Sequence, residues 1–167
     1  MSQKVLWAPW RMEFIAGAAK HPPGSCVFCE LPRLTNDRDN LILARGRSAF
    51  VILNRYPYNN GHLMIVPTRH TADWESLTAE EGLELHTLSQ RAVRALRGAY
   101  SADGYNLGTN LGLAAGAGIK DHLHLHVVPR WIGDTNFLPV LAETKAMPQH
   151  LMTCYDTIAE HWRPGDK

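Results

Sequence analysis

No run of apolar residues in these 167 positions approaches the roughly 20 that span a bilayer. The longest, residues 49–53 and 63–66, have the length of strands, which excludes a transmembrane helix. The first ten residues mix Lys4, Pro9 and two tryptophans and lack the charged-then-apolar pattern of an export signal, so the chain reads as cytoplasmic. Charge of one sign is missing as well. With 17 Lys and Arg against 16 Asp and Glu, the formal net charge is +1, and no broad basic field exists to grip a nucleic-acid backbone. Cysteine is scarce, and three copies are an odd number for a disulfide framework. Internal repeats, low-complexity tracts and long linkers are also absent. A chain of this length can bury about 70% of its unfolded surface in one core, so the expectation is a single domain that needs no metal or disulfide merely to fold.

What is present is pattern. Two β-type runs, residues 41–44 and 49–53, precede a turn-prone stretch at 56–61 and a third run at 62–66, which together predict an antiparallel meander. Thr78 with Glu81 three residues on forms a capping box. Leu85, Leu88, Ala92, Ala95, Leu96 and Ala99 then keep helical spacing, predicting a long helix over 79–99. Further strands are expected at 104–110 and 121–128, separated by a glycine-rich loop at 112–118. Pro148 suits the first position of a last helix, 148–161. Strands, a helix, strands and a helix indicate an α+β fold: an antiparallel sheet with one long helix and a C-terminal helix, in one domain over 1–167 with its core at about 26–137.

Three of nine histidines stand at His122, His124 and His126. In a strand, alternate side chains share a face, so the imidazoles are expected to project together while Leu123, Leu125 and Val127 enter the core. An idle His-rich face is a poor explanation, because crowded imidazoles repel when protonated. A catalytic zinc with all three as ligands strains geometry: the outer two lie about 13 Å apart along an extended strand, whereas zinc-to-nitrogen distances are about 2 Å. Separate tasks fit better. A neutral imidazole can attack phosphorus and form a covalent intermediate, a neighbour can hydrogen-bond the developing charge, and a glycine loop can offer backbone N–H groups to phosphate oxygens.

Cys26-Val-Phe-Cys29 leaves redox chemistry, packing and metal binding all open, and His70, just after the third strand, offers a further ligand for a closed tetrahedral site. Cys154 falls in a helical pattern and reads as packing. Trp131, following the triad, either stacks on a base, closes a pocket or covers a subunit boundary. His86, His150 and His161 lie on predicted helices and are given no chemistry; Arg91, Arg94 and Arg97 read as a solvated helix face.

The pattern His-φ-His-φ-His-φ-φ at 122–128, with φ apolar, resembles the signature of the histidine-triad family of nucleotidyl hydrolases and transferases. Asn54, Gly61-His62, the stretch 67–70, Asn110 and Gly116 follow the family's order, so the likeness covers about 26–130. The flanks at 6–11 and 129–137 are similar to the branch containing bacterial diadenosine tetraphosphate phosphorylases. The resemblance implies that His124 is the nucleophile on the α-phosphate, that His126 contacts the scissile phosphate and that His62 supports the same pocket. It implies that Asn110 and the backbone of Ala117, Gly118 and Ile119 hold phosphate oxygens and that Asn54 binds ribose hydroxyls. It also implies a structural zinc held by Cys26, Cys29, His70 and His122, and a homodimer. Gly118 departs from relatives that carry Gln, Ser or Thr there, which leaves backbone alone to serve the leaving group. The activity so implied is cleavage of dinucleoside polyphosphates such as diadenosine tetraphosphate, with phosphate favoured over water as acceptor. Its rivals are a hydrolase of nucleoside phosphoramidates or other nucleotide esters, a nucleotide-binding regulator without turnover, and a metal-dependent hydrolase. Neither nucleic acid nor membrane is expected as a partner.

Overall fold

A computed structural model describes residues 25–135 and 147–162; the flanking motif at 6–11 and the end of the one at 129–137 lie outside them. A single helical turn, α1 (Val27–Glu30), carries the cysteine pair into a 3-10 turn (Leu31–Arg33). Strands β1 (Ile42–Arg45), β2 (Ala49–Leu53) and β3 (Leu63–Pro67) form the expected meander. Helix α2 (Ala79–Tyr100) follows, then β4 (Gly104–Thr109), β5 (Leu125–Arg130) and α3 (Leu151–His161). The sheet order is β1-β2-β3-β5-β4 with every pair antiparallel, an α+β fold as the pattern predicted. No helix among the described residues is long and apolar enough to cross a membrane.

The two central runs are apolar at every position because every position of β2 and β3 is buried. Leu85, Leu88, Ala92, Ala95 and Leu96 of α2 join them in the core, along one helical stripe. The capping box is present: Thr78 Oγ1 accepts from the Glu81 N–H at 3.2 Å, and the Glu81 carboxylate accepts from the Thr78 N–H at 2.9 Å. Helix α3 packs on α2 and buries Cys154, Tyr155 and Ile158, so Cys154 is packing as expected.

Several boundaries shift by a residue or more, and three of the shifts have a local reason. β1 begins at Ile42 because Leu41 takes a left-handed φ of 62°. α3 begins at Leu151 and not at Pro148, since His150 is extended and its imidazole Nδ1 accepts from the Met152 N–H at 3.3 Å as the cap. The expected strand at 121–128 starts only at Leu125 and runs on to Arg130. The β3–β5 register pairs Ile65 with Leu125, so the next positions would bring Leu123 opposite Pro67, which has no N–H to donate. The ladder stops there, and the Leu123 N–H turns to the Thr71 carbonyl at 2.7 Å. The alternation that was to align three imidazoles is therefore lost at His122.

Candidate active site and metal centre

His62, His122, His124 and His126 are all buried, at 0, 1, 5 and 7% exposure. Buried imidazoles must find partners, and these partners fix where each proton sits. A backbone N–H can only donate, so the Tyr58 N–H, 3.0 Å from His62 Nδ1, makes that nitrogen an acceptor. The His62 proton is then on Nε2, which donates to His126 Nδ1 at 2.8 Å. His126 in turn carries its proton on Nε2, a buried atom with no hydrogen-bond partner among the described residues. His124 differs: its Nδ1–H donates to the His122 carbonyl at 2.9 Å, leaving the Nε2 lone pair available. Burial, with the neighbouring imidazoles adding to it, lowers the His62 pKa to about 3 and that of His126 to about 4, so both are neutral at pH 7.

The loop that delivers His62 depends on one glycine. Gly61 has φ of 77°, and a Cβ there would meet Leu96, Tyr100 and Pro129 side chains at 3.0–3.3 Å. Tyr58, from the same loop, lays its ring 4.6 Å from His62 and 5.4 Å from His126 between centroids.

His122 belongs to a second group. Its Nε2–H donates to the Pro67 carbonyl at 2.8 Å, which leaves Nδ1 aimed at Cys26 Sγ (3.3 Å), Cys29 Sγ (3.6 Å) and His70 Nδ1 (3.3 Å). Cys29 Sγ also lies 3.3 Å from His70 Nδ1. A zinc tetrahedron with bonds of about 2.0–2.1 Å to nitrogen and about 2.3 Å to sulfur has N···N edges of about 3.3 Å and S···N edges of about 3.5 Å. The four residues fit that ion, and their ligand atoms all fall within 4.8 Å of one another. His124 and His126 stand outside the cluster. Phe28, between the two cysteines, ties the groups together: its ring lies 5.5 Å from His122 and 5.3 Å from His124.

The remaining predicted residues are distributed unevenly. Asn54 sits beside the relay, with Nδ2 3.2 Å from His62 Nδ1 and Oδ1 accepting from the Tyr56 N–H at 2.9 Å. Asn110 lines a cavity of about 370 Å³ together with His126, Tyr58, Asn106, Gly108 and Arg130. Gly112 and Gly116 take φ of 78° and 83° in the glycine loop, where Ala117 is buried and Gly118 exposed. The backbone N–H groups of Gly118 and Ile119 have no backbone acceptor among the described residues. Trp131 is not brought to the histidines: its Nε1–H donates to the Tyr100 carbonyl at 3.3 Å and its ring lies against Tyr100.

Sequence reasoning missed Tyr58, Phe28 and the Asp134 carboxylate. Asp134, 7% exposed at its side chain, accepts from Arg130 Nε (2.6 Å), Asn59 Nδ2 (2.9 Å) and the Trp131 N–H (3.2 Å). Those bonds, the Arg130 guanidinium first, hold its carboxyl well below the usual range. An aromatic inside a turn-prone segment was the available signal for Tyr58; Asp134 had none.

A fold of this topology sets side by side two buried histidines, His124 with its Nδ1–H given to a carbonyl and His126 with its Nδ1 accepting, and it can be compared with known proteins. The HIT domain family model matches residues 36–131. AP-4-A phosphorylase of Mycobacterium tuberculosis is 42% identical over 163 residues, covering 94% of this chain and 83% of the relative. The crystal structure of a zinc-bound histidine triad family protein from Mycobacterium smegmatis superposes with a TM-score of 0.65 at 28% identity, over 83% of this chain and 93% of that one. A histidine triad nucleotide-binding protein from Sulfolobus tokodaii gives 0.63 at 25% identity, over 82% and 89%. The chain belongs to the HIT, or histidine triad, family.

Proposed function

We propose that the protein is a one-domain nucleotidyl transferase acting on dinucleoside polyphosphates of the diadenosine tetraphosphate type, through a nucleotidyl group carried on His124, with phosphate preferred over water as acceptor. The carrying observation is the opposed pair of nitrogens. The His124 lone pair and the unpartnered His126 Nε2–H belong to rings 4.8 Å apart at an angle of 79°. In this reading His124 Nε2 attacks the α-phosphorus. The bond to the bridging oxygen breaks, and its electron pair leaves on the departing nucleotide. His126 Nε2–H stabilises charge on the phosphoryl group, and His62 holds His126 in the tautomer that can do so. An acceptor oxygen then displaces His124.

Two features support phosphate as that acceptor. Water must lose a proton as it attacks, yet the His126 nitrogen facing the site already carries one and cannot serve as base. A phosphate dianion brings an oxygen that needs no deprotonation. The likeness to a relative named AP-4-A phosphorylase points the same way. A polyphosphate leaving group also departs without a proton, which suits Gly118, where no side chain could supply one.

In this assignment Asn54 meets ribose hydroxyls, and Asn110 with the N–H groups around Ala117, Gly118 and Ile119 holds phosphate oxygens. Cys26, Cys29, His70 and His122 hold a structural zinc, which would fix the residue whose carbonyl orients His124. Reduced thiols at these positions suit a cytoplasmic setting. β4 is a sheet edge with Leu107 exposed at 49%, and Leu111 and Leu113 are exposed beyond it, which supports a homodimer. The deciding experiment is chromatography of products from diadenosine tetraphosphate with and without millimolar phosphate. Phosphate should give ADP and ATP. AMP with ATP under both conditions would make the protein a hydrolase, and no cleavage would make it a nucleotide-binding regulator.

A further inference from the structure

The cavity beside His126 has a feature that the roles above leave unused. Asn106 and Gly108 of β4, with Asn110 just beyond it, and His126, Val128 and Arg130 at alternate positions of β5 all line it, and Leu107 and Thr109 between them complete its β4 edge. Gly108 is the direct cross-strand partner of His126. A Cβ built on Gly108 would meet no heavy atom within 4 Å, and its φ is not left-handed. Neither backbone conformation nor packing calls for glycine there. Its missing side chain leaves open space in the cavity beside its cross-strand partner His126.

Sheet order gives that space a side. Asn54 follows the end of β2, so it lies across β3 from His126, whereas the cavity lies on the β4 side. A substrate with its nucleoside at Asn54 and its reacting phosphorus at the histidines would send its leaving group over Gly108. The lining suits an anion held by hydrogen bonds: the Asn106 and Asn110 amides and the Arg130 guanidinium, which is fixed by Asp134 and by Asn106 Oδ1 at 2.9 Å. At about 370 Å³ its volume falls at the lower end of small-molecule sites, roughly 300–1,000 Å³.

We propose that this cavity is the subsite for the leaving polyphosphate, and that Gly108 is a specificity-determining residue that admits a leaving group larger than an amine. The proposal rests on the nucleotidyl-transfer reading above. It adds that the space over Gly108 selects what departs.

The test compares two substrates that transfer the same adenylyl group. Diadenosine tetraphosphate loses ATP, the electron pair leaving on a phosphate oxygen. Adenosine 5′-phosphoramidate loses ammonia by P–N cleavage, with the proton taken from water. Gly108→Val puts a strand-favouring side chain into the space. The ratio of kcat/KM for the dinucleotide to that for the phosphoramidate should fall at least tenfold, with Gly108→Ala between it and wild type. Equal losses on both substrates, or an unchanged ratio, would overturn the proposal. Asn106→Ala removes a donor without filling space and should raise KM for the dinucleotide severalfold more than for the phosphoramidate, so a Val variant that melts early does not end the test. If wild type cleaves neither substrate, the transferase reading fails by itself. The subsite is then judged by binding, where Gly108→Val should weaken diadenosine tetraphosphate at least tenfold relative to AMP, and an unchanged ratio of affinities would refute it.

Discussion

His122 and His126 are four residues apart, carry their protons on the same nitrogen, and serve opposite ends. His122 gives its Nε2–H to the Pro67 carbonyl and turns a lone pair toward two cysteines and His70. His126 accepts a hydrogen bond at Nδ1 from His62 and is left with a buried Nε2–H that has no partner among the described residues. Between them His124 holds the other tautomer, set by the His122 carbonyl. At Cys26, Cys29, His70 and His122, atoms able to ligate a cation converge; at His124 and His126, a ring whose Nδ1–H is spent on a carbonyl stands beside one whose Nε2–H is not. Residue type does not distinguish the two regions. Backbone carbonyls and a single backbone N–H do, by deciding which nitrogen each ring offers.

The hardest break of this contrast is His124→Ala. It removes the lone pair to which the proposed mechanism gives the covalent step, while leaving Asn54, Asn110 and the loop N–H groups. Turnover should vanish, whereas AMP affinity should stay within about tenfold, or about 1.4 kcal/mol. Steady-state assay beside calorimetric AMP binding checks this, and acid-labile labelling of wild type should identify the phosphoramidate. Substantial activity in the variant would move the nucleophile elsewhere.

Next is the opposite region. Cys29→Ser removes one ligand from a closed site, and metal binding of this kind is coupled to folding. We expect loss of zinc and of about 3 kcal/mol, lowering the melting temperature by roughly 6–12 °C in a domain of this size. Elemental analysis and thermal melts decide it. Wild type purified without zinc, or a variant with an unchanged melt, would remove the metal half of the comparison.

The relay gives a smaller effect. His62→Phe leaves His126 Nδ1 without its donor and frees the ring to take the wrong tautomer, so kcat should fall about 10- to 100-fold, some 1.4–2.7 kcal/mol of barrier. The pH dependence has a definite sign. Both histidines are neutral when folded, with pKa about 3 and about 4, but titrate near 6.5 when unfolded. The unfolded chain therefore binds more protons between those limits, and stability should fall as pH drops from about 6.5 toward 4. His62→Phe should flatten that slope. A variant melting with the wild-type pH profile would show that His62 is not buried neutral.

Much of this architecture was legible in the sequence because local chemistry determined it. The Thr78–Glu81 box starts α2 where expected, and 49–53 is β2 to the residue, because a run buried on both faces has no polar position to blur its ends. Cys26, Cys29 and His70 were legible as candidate ligands from residue type, His122 only through the family resemblance, and the structure brings all four together. Three things were not legible. The start of β5 depends on which residue would face Pro67 across the sheet, a long-range fact. Proton placement on the histidines depends on the carbonyls of Pro67 and His122 and the N–H of Tyr58, which no side-chain pattern encodes. The open space at Gly108 depends on its pairing with His126, eighteen residues away.

The finest probe concerns how the first region is anchored to the scaffold. Glu81, besides capping α2, accepts from Arg69 Nε and Nη2, each at 2.8 Å, and Arg69 directly precedes His70. Glu81 is nearly buried, with 10% of its side chain exposed, and the Arg69 hydrogen bonds are the main cause that holds its pKa down to about 2. Glu81→Gln keeps one acceptor for the Thr78 N–H but turns an amide donor toward the guanidinium. Because Arg69 is 44% exposed and its charge is screened, the cost should be about 1 kcal/mol, or roughly 2–4 °C of melting temperature. A group whose folded pKa is depressed contributes stability that is present above its unfolded value, 4.5, and is lost as pH falls toward 2. The gap between wild-type and variant melts should thus be full at pH 7 and narrow below about pH 4. Zinc affinity should weaken about two- to fivefold, since the segment presenting His70 is held less firmly, while kcat of the zinc-loaded variant stays at the wild-type value. A variant whose zinc affinity is unchanged would show that Glu81 caps α2 without steadying the metal site.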